Sequence, residues 1–433
     1  MMTMQGKKSS ANTGKGNLIM MQKIEARYGD AFQYGLVGPL DCRARIMWPS
    51  KPPYDSPAII YIGPDGRSWL EARPPSSLDL PADFQSGPIA AEVTLAGAAP
   101  LQLQLTPTIF DANISVDDPS ETKIGFRISQ TPIVFWPTSS EDSEGKQVRV
   151  ELSLLNCLHE AFVGSIKFTG FGYQWELSDL FNGRSESANS IRNGLIDSLA
   201  TTLLTTTCGA DEVQKVVDDA WKISRLLSFA LGTSVSGCVV KFSQGERSQL
   251  HSYYEWPKFG TATNAREFSF FDTERTPGGL ADFLSVACAN FNRIESSHLP
   301  SIVIGYLEQA RSNNVSDIRV ALCVFAAECF SYQIERANGV TEQQLSSRSI
   351  EQKLNRCKNH YGMAFIDRQF TGETRANVRN PLMHTGQIPS MNVEDKYKWS
   401  QEMYMLVSRM VFHQFGFTGE FIDIQNNWTV TRN

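Results

Sequence analysis

The sequence lacks the short motifs that identify the commonest enzyme classes. It contains no G-x-x-x-x-G-K-[ST], G-x-S-x-G, H-E-x-x-H or G-x-G-x-x-G segment. Five of its six histidines also lack metal-ligand spacing; they are His159, His251, His298, His360 and His413. The sequence therefore gives no indication of a P-loop, a nucleophile elbow, a zinc protease centre or a dinucleotide fold. We expect neither a metal nor a cofactor.

Paired cysteines and long apolar runs are also absent. The eight cysteines are scattered without a C-x-x-C pair, and several lie in apolar segments such as "VALCVFAAECF", which is typical of buried, reduced thiols. Glu328 interrupts that segment, and no apolar run approaches the length of a membrane span. The polar N-terminus has no signal-peptide core. We therefore predict a cytoplasmic protein with no membrane partner.

The net charge is small and unevenly distributed. The chain has 40 Lys and Arg against 46 Asp and Glu, a net charge of -6, which does not indicate nucleic-acid binding by the whole chain. Residues 352–384 differ, because they contain six basic and only two acidic residues. The basic residues are Lys353, Arg356, Lys358, Arg368, Arg375 and Arg379. This basic patch surrounds the segment "RNPLMHTG".

The first part of the chain has the two-residue periodicity of β-strands. A composition of 41% hydrophobic and 20% charged residues is that of an ordinary folded protein, and 433 residues are enough for two or three domains. "QVRVELSL" and "LQLQLT" alternate apolar and polar residues, and prolines separate such runs. We predict a mobile tail at residues 1–17. Residues 18–205 predict a β-rich domain of the sandwich or jelly-roll type.

The periodicity changes to that of helices further along. Residues 211–232 have one apolar face that ends at Gly232, and we expect Asp218 and Asp219 on the solvated face. Two predicted strands follow this helix, so we predict that residues 206–279 form a small α+β connector. The remaining residues, 280–433, predict an all-α bundle with a terminal strand. Its predicted helices are 280–295, 299–313, 316–337, 341–360, 372–384 and 394–415. The predicted fold class is multidomain α+β.

One short segment combines groups that suit a phosphate. In "RNPLMHTG", an arginine, an asparagine and a histidine surround a proline. Pro381 fits the first turn of a helix with Asn380 as its N-cap, which places His384 one turn along, over Asn380. The helix N-terminal amides, Arg379 and His384 would then converge where a phosphate could bind. The alternative is a capped helix with a surface histidine, and spacing alone does not separate the two.

These residues resemble a known signature. "RNPLMHTG" resembles the R-[polar]-x-x-x-H motif of HEPN-domain ribonucleases, and the predicted helices from about 280 to 425 resemble their bundle. Such a bundle behind a long β-rich region resembles the ApeA-type proteins of bacterial anti-phage defence. The resemblance implies a HEPN-like domain at 280–433 that cleaves RNA without metal at a site built from two protomers. It implies that Arg379, Asn380 and His384 are catalytic.

The chemistry of the three side chains suits such cleavage. RNA supplies its own nucleophile, the 2′-hydroxyl, so the site needs a proton acceptor, a proton donor and a cation for the phosphorane charge. Histidine titrates near neutral pH and arginine binds phosphate with two nitrogens, while asparagine can orient the imidazole or bind a phosphate oxygen. We expect a metal-independent endoribonuclease, an anti-phage effector that cuts tRNA or other RNA and leaves 2′,3′-cyclic phosphate ends.

The expected partners follow from this function. They are RNA, a second copy of the chain in a homodimer or higher oligomer, and a phage-derived or small-molecule trigger at the N-terminal domain. The basic residues expected to bind the RNA are Arg356, Lys358, Arg368 and Arg375.

Two other functions remain open. In the first, the bundle dimerises without catalysis and the β-rich domain binds a ligand or protein. The second is carbohydrate binding, because the predicted strands contain tryptophans, although tryptophan in such domains is more often core. These tryptophans are Trp48, Trp69, Trp136 and Trp175. Incubation of the purified protein with total cellular RNA separates the ribonuclease from both alternatives.

Overall fold

The fold was determined from a computed structural model of the chain. The structure describes residues 37–47, 52–62, 68–72, 89–94, 100–113, 123–128, 133–134, 147–155, 157, 165–179, 200–244, 247–254, 269–272, 274–366, 378–425 and 429–432. Within these residues, antiparallel sheets come first and a helical region follows. The predicted tail at residues 1–17 lies outside them.

Six antiparallel strands at the start of the chain form a closed barrel. Around the barrel they are β1 (Val37–Met47), β2 (Tyr54–Ile62), β3 (Ser68–Ala72), β6 (Lys123–Ile128), β5 (Leu101–Asn113) and β4 (Ile89–Thr94). Strand β4 also pairs with β1, so the barrel has no free edge. Along β5, Leu103 and Leu105 are buried while Gln102 and Gln104 are exposed, as the sequence alternation predicts. The buried residues form an apolar core of their own.

Seven further strands form a second, antiparallel sheet. Their order is β7 (Ile133–Val134), β13 (Arg247–Tyr254), β12 (Ser236–Gln244), β8 (Gln147–Leu155), β11 (Ala200–Gly209), β10 (Tyr173–Asp179) and β9 (Ser165–Gly170). A 3-10 turn (Ala210–Glu212) leads from β11 into helix α1 (Val213–Leu231). The helix ends at Gly232, which has the left-handed conformation at φ 65° that glycine adopts without strain. The apolar face of α1 packs on this sheet.

The last part of the chain consists of helices and a short hairpin. The helices are α2 (Gly279–His298), α3 (Pro300–Ser312), α4 (Ser316–Ala337), α5 (Glu342–Ser347), α6 (Ile350–His360), α7 (Asn380–Thr385) and α8 (Val393–Phe415), and the hairpin is β14 (Glu420–Asp423) with β15 (Thr429–Arg432). Thr341 and Ser349 each cap a helix with the reciprocal pair of hydrogen bonds of a capping box. The second cap divides the helix that was predicted at 341–360 into α5 and α6.

One continuous apolar core joins the second sheet to the helices. The ring centroid of Phe412 in α8 lies 5.1 Å from that of Phe229 in α1 and 5.2 Å from those of Phe270 and Phe283. The hairpin is attached to the same core, because the Ile422 backbone N–H donates to the Phe270 carbonyl at 2.8 Å. The core therefore extends across position 280, where the sequence predicted a domain boundary.

The structure confirms the predicted fold class, with β-sheets followed by a helical region in a multidomain α+β protein. The strands form a barrel and a separate sheet instead of the two facing layers of a sandwich, because strand partners are set by contacts distant in sequence. The segment predicted as a connector contributes β12 and β13 to the second sheet. Among the helices described, none has the length and apolar character needed to cross a bilayer.

Candidate functional site

The segment "RNPLMH" forms a short helix, as predicted. A turn of π-helical geometry at Val378 and Arg379, a form that is frequent at functional sites, leads into α7. Pro381 lies in the first turn, where its missing N–H leaves no hydrogen bond unmade. The helix ends at Gly386, whose φ of 71° lies in the left-handed region. Residues 372–377 of the predicted helix lie outside the described residues.

Asn380 is not the N-cap that the sequence predicted. Arg379, the residue before the helix, already has right-handed helical angles (φ -64°, ψ -48°), and no side chain caps the helix. An N-cap residue needs an extended backbone to turn its side chain onto the first free amides. Asn380 is therefore the first residue of the helix and is half-buried. The predicted arrangement, in which an Asn380 cap and the helix amides converge with Arg379 and His384, is not formed.

An ion pair with helix α4 fixes Arg379. Its Nη2 donates to both carboxylate oxygens of Glu328, at 3.3 Å to Oε1 and 3.4 Å to Oε2. The two side chains are 31% and 29% exposed, so the pair lies at the edge of solvent. Nε and Nη1 of Arg379 have no hydrogen-bond partner within the described part of the chain, so the anchored guanidinium can still donate to a phosphate.

His384 is exposed in the last turn of α7. Its spacing from Asn380 is four residues, which places the two side chains on the same helix face. The contacts described for Arg379 go to Glu328, and none goes to His384. The structure thus places all three predicted residues in one short segment, but it does not bring the guanidinium and imidazole of one chain into contact.

Helix α4 also fixes the chain that follows α7. The Ile388 backbone N–H donates to Oδ1 of Asp317 at 2.9 Å, near the start of α4. Lys396 of α8 lies 2.9 Å from the same carboxylate. Because Arg379 contacts α4 at Glu328 and Ile388 contacts it at Asp317, the segment between them runs along α4 in the opposite direction. The face with His384 remains exposed to solvent.

Exposed apolar side chains occur on α4, α7 and α8, which are linked near the start of α4 through the contacts of Asp317 and Arg319. They are Val315 and Ile318 around the first turn of α4, Met383 of α7, and Val393 and Tyr397 of α8, and they are 39–72% exposed. We call them the apolar end surface. The guanidinium carbon of Arg319 lies 4.7 Å from the ring centroid of Tyr397, so the starts of α4 and α8 are in contact. Several exposed apolar side chains in one region are typical of an interaction surface.

Arg356, which was predicted to bind RNA, takes part in an internal ion pair. Its Nε lies 3.3 Å from Oε2 of Glu335, a residue with 0% exposure, and Arg348 binds the same carboxylate oxygen. A hydrogen bond with Tyr361, and then the charge of Glu335, raises the pKa of the Arg356 guanidinium. Its charge therefore balances a buried carboxylate, which reduces what it can offer to RNA.

The other basic candidates stay predictions. Lys358 is half-buried in the last turn of α6, and no described contact joins it to α7. Arg368 and Arg375 lie outside the described residues.

Glu328 is the residue of this site that the sequence analysis did not identify. Its signal was present, because a charged residue inside the apolar helix segment "RVALCVFAAECF" requires a polar partner when that helix packs. The sequence did not predict which residue pairs with Glu328, since Arg379 lies 51 residues away from it along the chain.

The other chemical predictions have structural outcomes of their own. Trp175 is 1% exposed and its Nε1 donates to the Gly170 carbonyl at 2.9 Å, so it is a core residue and not a sugar platform. The side chains of Trp48, Trp69 and Trp136 are outside the described set. Across the described ranges, no group of three or more His, Cys, Asp or Glu side chains could bind a metal ion.

Comparison with known proteins gives no match. A scan of protein-family models, a search of curated proteins and a search of solved structures each find nothing that matches this chain. Function is therefore inferred from the side chains and contacts described above.

Proposed function

We propose that this chain is a metal-independent endoribonuclease of the HEPN type, active as a homodimer, that cuts tRNA or other RNA as an anti-phage effector. The observation that supports this most is the ion pair between Glu328 and Arg379, in the same short segment as the exposed His384. The pair fixes a permanent cation while leaving N–H groups for a phosphate. A fixed cation and an exposed imidazole in one segment are the groups that RNA cleavage requires.

The reaction consists of two proton transfers around one phosphorus atom. A histidine takes the proton of the 2′-hydroxyl, and the 2′-oxygen forms a bond to the adjacent phosphorus. Arg379 binds the phosphate oxygens while their negative charge grows. The bond from phosphorus to the 5′-oxygen then breaks, and a second histidine protonates that oxygen. The products are a 2′,3′-cyclic phosphate and a 5′-hydroxyl.

Two chains are needed because each contributes one His384. The acceptor must be neutral and the donor protonated at the start, so a single imidazole cannot fill both roles in one step. A symmetric dimer through the apolar end surface would bring two α7 helices together, since that surface includes Met383 of α7 itself. The shared site would then contain two copies of Arg379, Asn380 and His384.

A pair of matched substitutions tests the shared site. Ile318→Asp adds a charge to the apolar end surface, so we expect a monomer that does not cleave RNA. Ile302→Asp is its control, because Ile302 is also the third residue of its helix and is 46% exposed against 45% for Ile318. We expect the control to remain dimeric and active in sedimentation velocity and in RNA cleavage. A monomeric wild type that cleaves RNA would contradict the shared site, as would a dimeric, active Ile318→Asp variant.

A non-catalytic module is the second candidate, and the separation of the two groups within one chain favours it. The described contacts of Arg379 go to Glu328, and none joins its guanidinium to His384. In this case the bundle dimerises and the β-rich part binds a ligand or protein. A dimeric wild type that leaves total cellular RNA intact would support this candidate over the ribonuclease.

A further inference from the structure

A cleft of about 490 Å³ lies between the second sheet and the helices. Its walls are the turn between β9 and β10, one face of α1 and one face of α2. The volume is within the usual range of small-molecule sites, about 300–1,000 Å³. None of the residues that line it belongs to α4 or α7, so the cleft is separate from the proposed active site.

The α1 wall presents two lysines around a buried aspartate. Lys215, Asp219 and Lys222 follow helical spacing, which puts them on one face. The prediction that Asp219 is solvated was wrong: it is 2% exposed, and its Oδ1 accepts a hydrogen bond from Lys222 Nζ at 2.7 Å. Its Oδ2 is shielded from solvent and has no partner in the described part of the chain. Because Oδ2 is enclosed, Asp219 presents no accessible acceptor to a ligand, and its charge is paired with Lys222. Both lysines line the opening.

The two lysines and Asn292 keep unused hydrogen-bond donors in the cleft. Lys222 Nζ also donates to Oδ1 of Asn292 on α2 at 3.2 Å, and Lys215 Nζ donates to the Tyr173 hydroxyl at 3.4 Å. Each ammonium has three N–H groups, so both lysines retain donors. The Asn292 amide Nδ2 has no hydrogen-bond partner among the residues described. The complementary ligand is thus an anion with several acceptor atoms.

The turn at the third wall has an uncommon backbone. Phe171 and Gly172 have φ of 54° and 92°, the two positive values of a type I′ hairpin turn, in which Asn-Gly is the usual pair. A bulky residue in this conformation is strained. The centroid of the Phe171 ring lies 6.0 Å from that of the Phe291 ring and 5.0 Å from Lys222 Nζ. These contacts keep an apolar ring at the edge of the cleft, beside the cation.

We propose that this cleft binds a small phosphorylated molecule. The phosphate would accept hydrogen bonds from Lys215 and Lys222 on α1 and from Asn292 Nδ2 on α2, and the organic part would lie against Phe171. A phosphate fits better than a carboxylate, because its three terminal oxygens can accept from donors on two helices at once. The proposal does not depend on ribonuclease activity.

Isothermal titration of the full-length protein tests the site with defined probes. ADP and glucose 6-phosphate carry a phosphate on different organic groups, and adenosine carries none. We expect saturable binding with one site per chain for a phosphate probe and none for adenosine. Asn292→Asp puts a negative charge beside Lys222 without changing the volume, and Lys215→Gln removes a positive charge; each should weaken binding roughly tenfold or more. Lys222 is left intact, because it is the ion-pair partner of the buried Asp219.

Two control variants locate the binding. Lys167→Gln changes a lysine on β9 that is 73% exposed and does not line the cleft, so the affinity should be unchanged. Arg379→Ala should also leave it unchanged. The proposal is overturned if neither phosphate probe binds in the millimolar range, if adenosine binds as well as ADP, or if both cleft variants bind like the wild type. Loss of binding in Arg379→Ala would place the ligand at the other site and overturn it too.

Discussion

Replacing Glu328 by glutamine removes the charge that anchors Arg379 while keeping the volume of the side chain. The pair is about 30% exposed on each side, and its two hydrogen bonds, at 3.3 and 3.4 Å, use a single nitrogen of Arg379. Ion pairs at this exposure contribute about 0.5–1 kcal/mol to the free energy of unfolding. The melting temperature of Glu328→Gln should therefore fall by no more than about 3 °C.

The rate of RNA cleavage should change much more than the stability. Without its anchor, Arg379 samples several rotamers, and a displacement of about 1 Å at a reacting centre can lower a rate about a hundredfold. We expect kcat/KM of Glu328→Gln to fall by about tenfold to a hundredfold, mainly through kcat, because the arginine acts on charge that develops in the transition state. Initial rates on a fluorescent RNA, measured beside thermal unfolding of the same samples, provide both numbers.

A matched variant and a double mutant complete this test. The control is Glu402→Gln, which changes a half-buried glutamate of α8. Glu402 has no ion-pair partner among the described residues, so this variant should cleave RNA at the wild-type rate. Glu328→Gln combined with Arg379→Lys should be little slower than Arg379→Lys alone, because both act on one group. A folded Glu328→Gln variant with wild-type kcat/KM would refute the positioning role of Glu328.

The remaining predictions concern single residues. Arg379→Lys should lower kcat/KM at least about tenfold with a nearly unchanged melting temperature, because an ammonium cannot bind phosphate as a planar fork; normal cleavage would mean that Arg379 acts only as a charge. Arg348→Met should lower the urea-derived free energy of unfolding by about 2–4 kcal/mol, since Glu335 is buried and would lose an ion-pair partner; a change below about 0.5 kcal/mol would contradict the structural role of this ion pair. Burial, and then the charge of Arg293, lowers the pKa of His298 in the folded chain below its ordinary 6.5. As the pH falls through 6.5, the unfolded chain therefore binds a proton at His298 before the folded chain does, and the free energy of unfolding decreases. His298→Gln should therefore lose less stability than the wild type between about pH 7 and pH 5, and equal slopes would contradict this.

Local structure was largely predictable from the sequence. The helix ending at Gly232 was predicted from residue types whose backbone preferences are set by their neighbours. The start of α4 at Ser316 and the alternation of β5 follow from the same short-range rules. Such features depend on a few adjacent residues, so tertiary contacts seldom override them.

Features that depend on distant contacts were not predictable. The closure of the barrel requires β4 to pair with β1, and the second sheet takes strands from both sides of the predicted boundary at 205. The sequence indicated Arg379 and His384 by their chemistry, but the Glu328 contact and the burial of Asp219 depend on how helices pack. The N-cap assignment of Asn380 failed for a local reason, since the backbone already has helical angles at Arg379, two residues before Pro381.

Cleavage of RNA in excess EDTA by the wild type and by His384→Ala tests the central claim most directly. His384 is exposed and forms little packing, so the variant should keep the melting temperature and the dimeric state of the wild type. The account predicts that the wild-type dimer cuts RNA in EDTA and leaves 2′,3′-cyclic phosphate ends, while His384→Ala leaves the RNA intact. A folded His384→Ala variant that cuts at the wild-type rate, or a wild type that needs added Mg²⁺ and leaves 3′-hydroxyl ends, would contradict it.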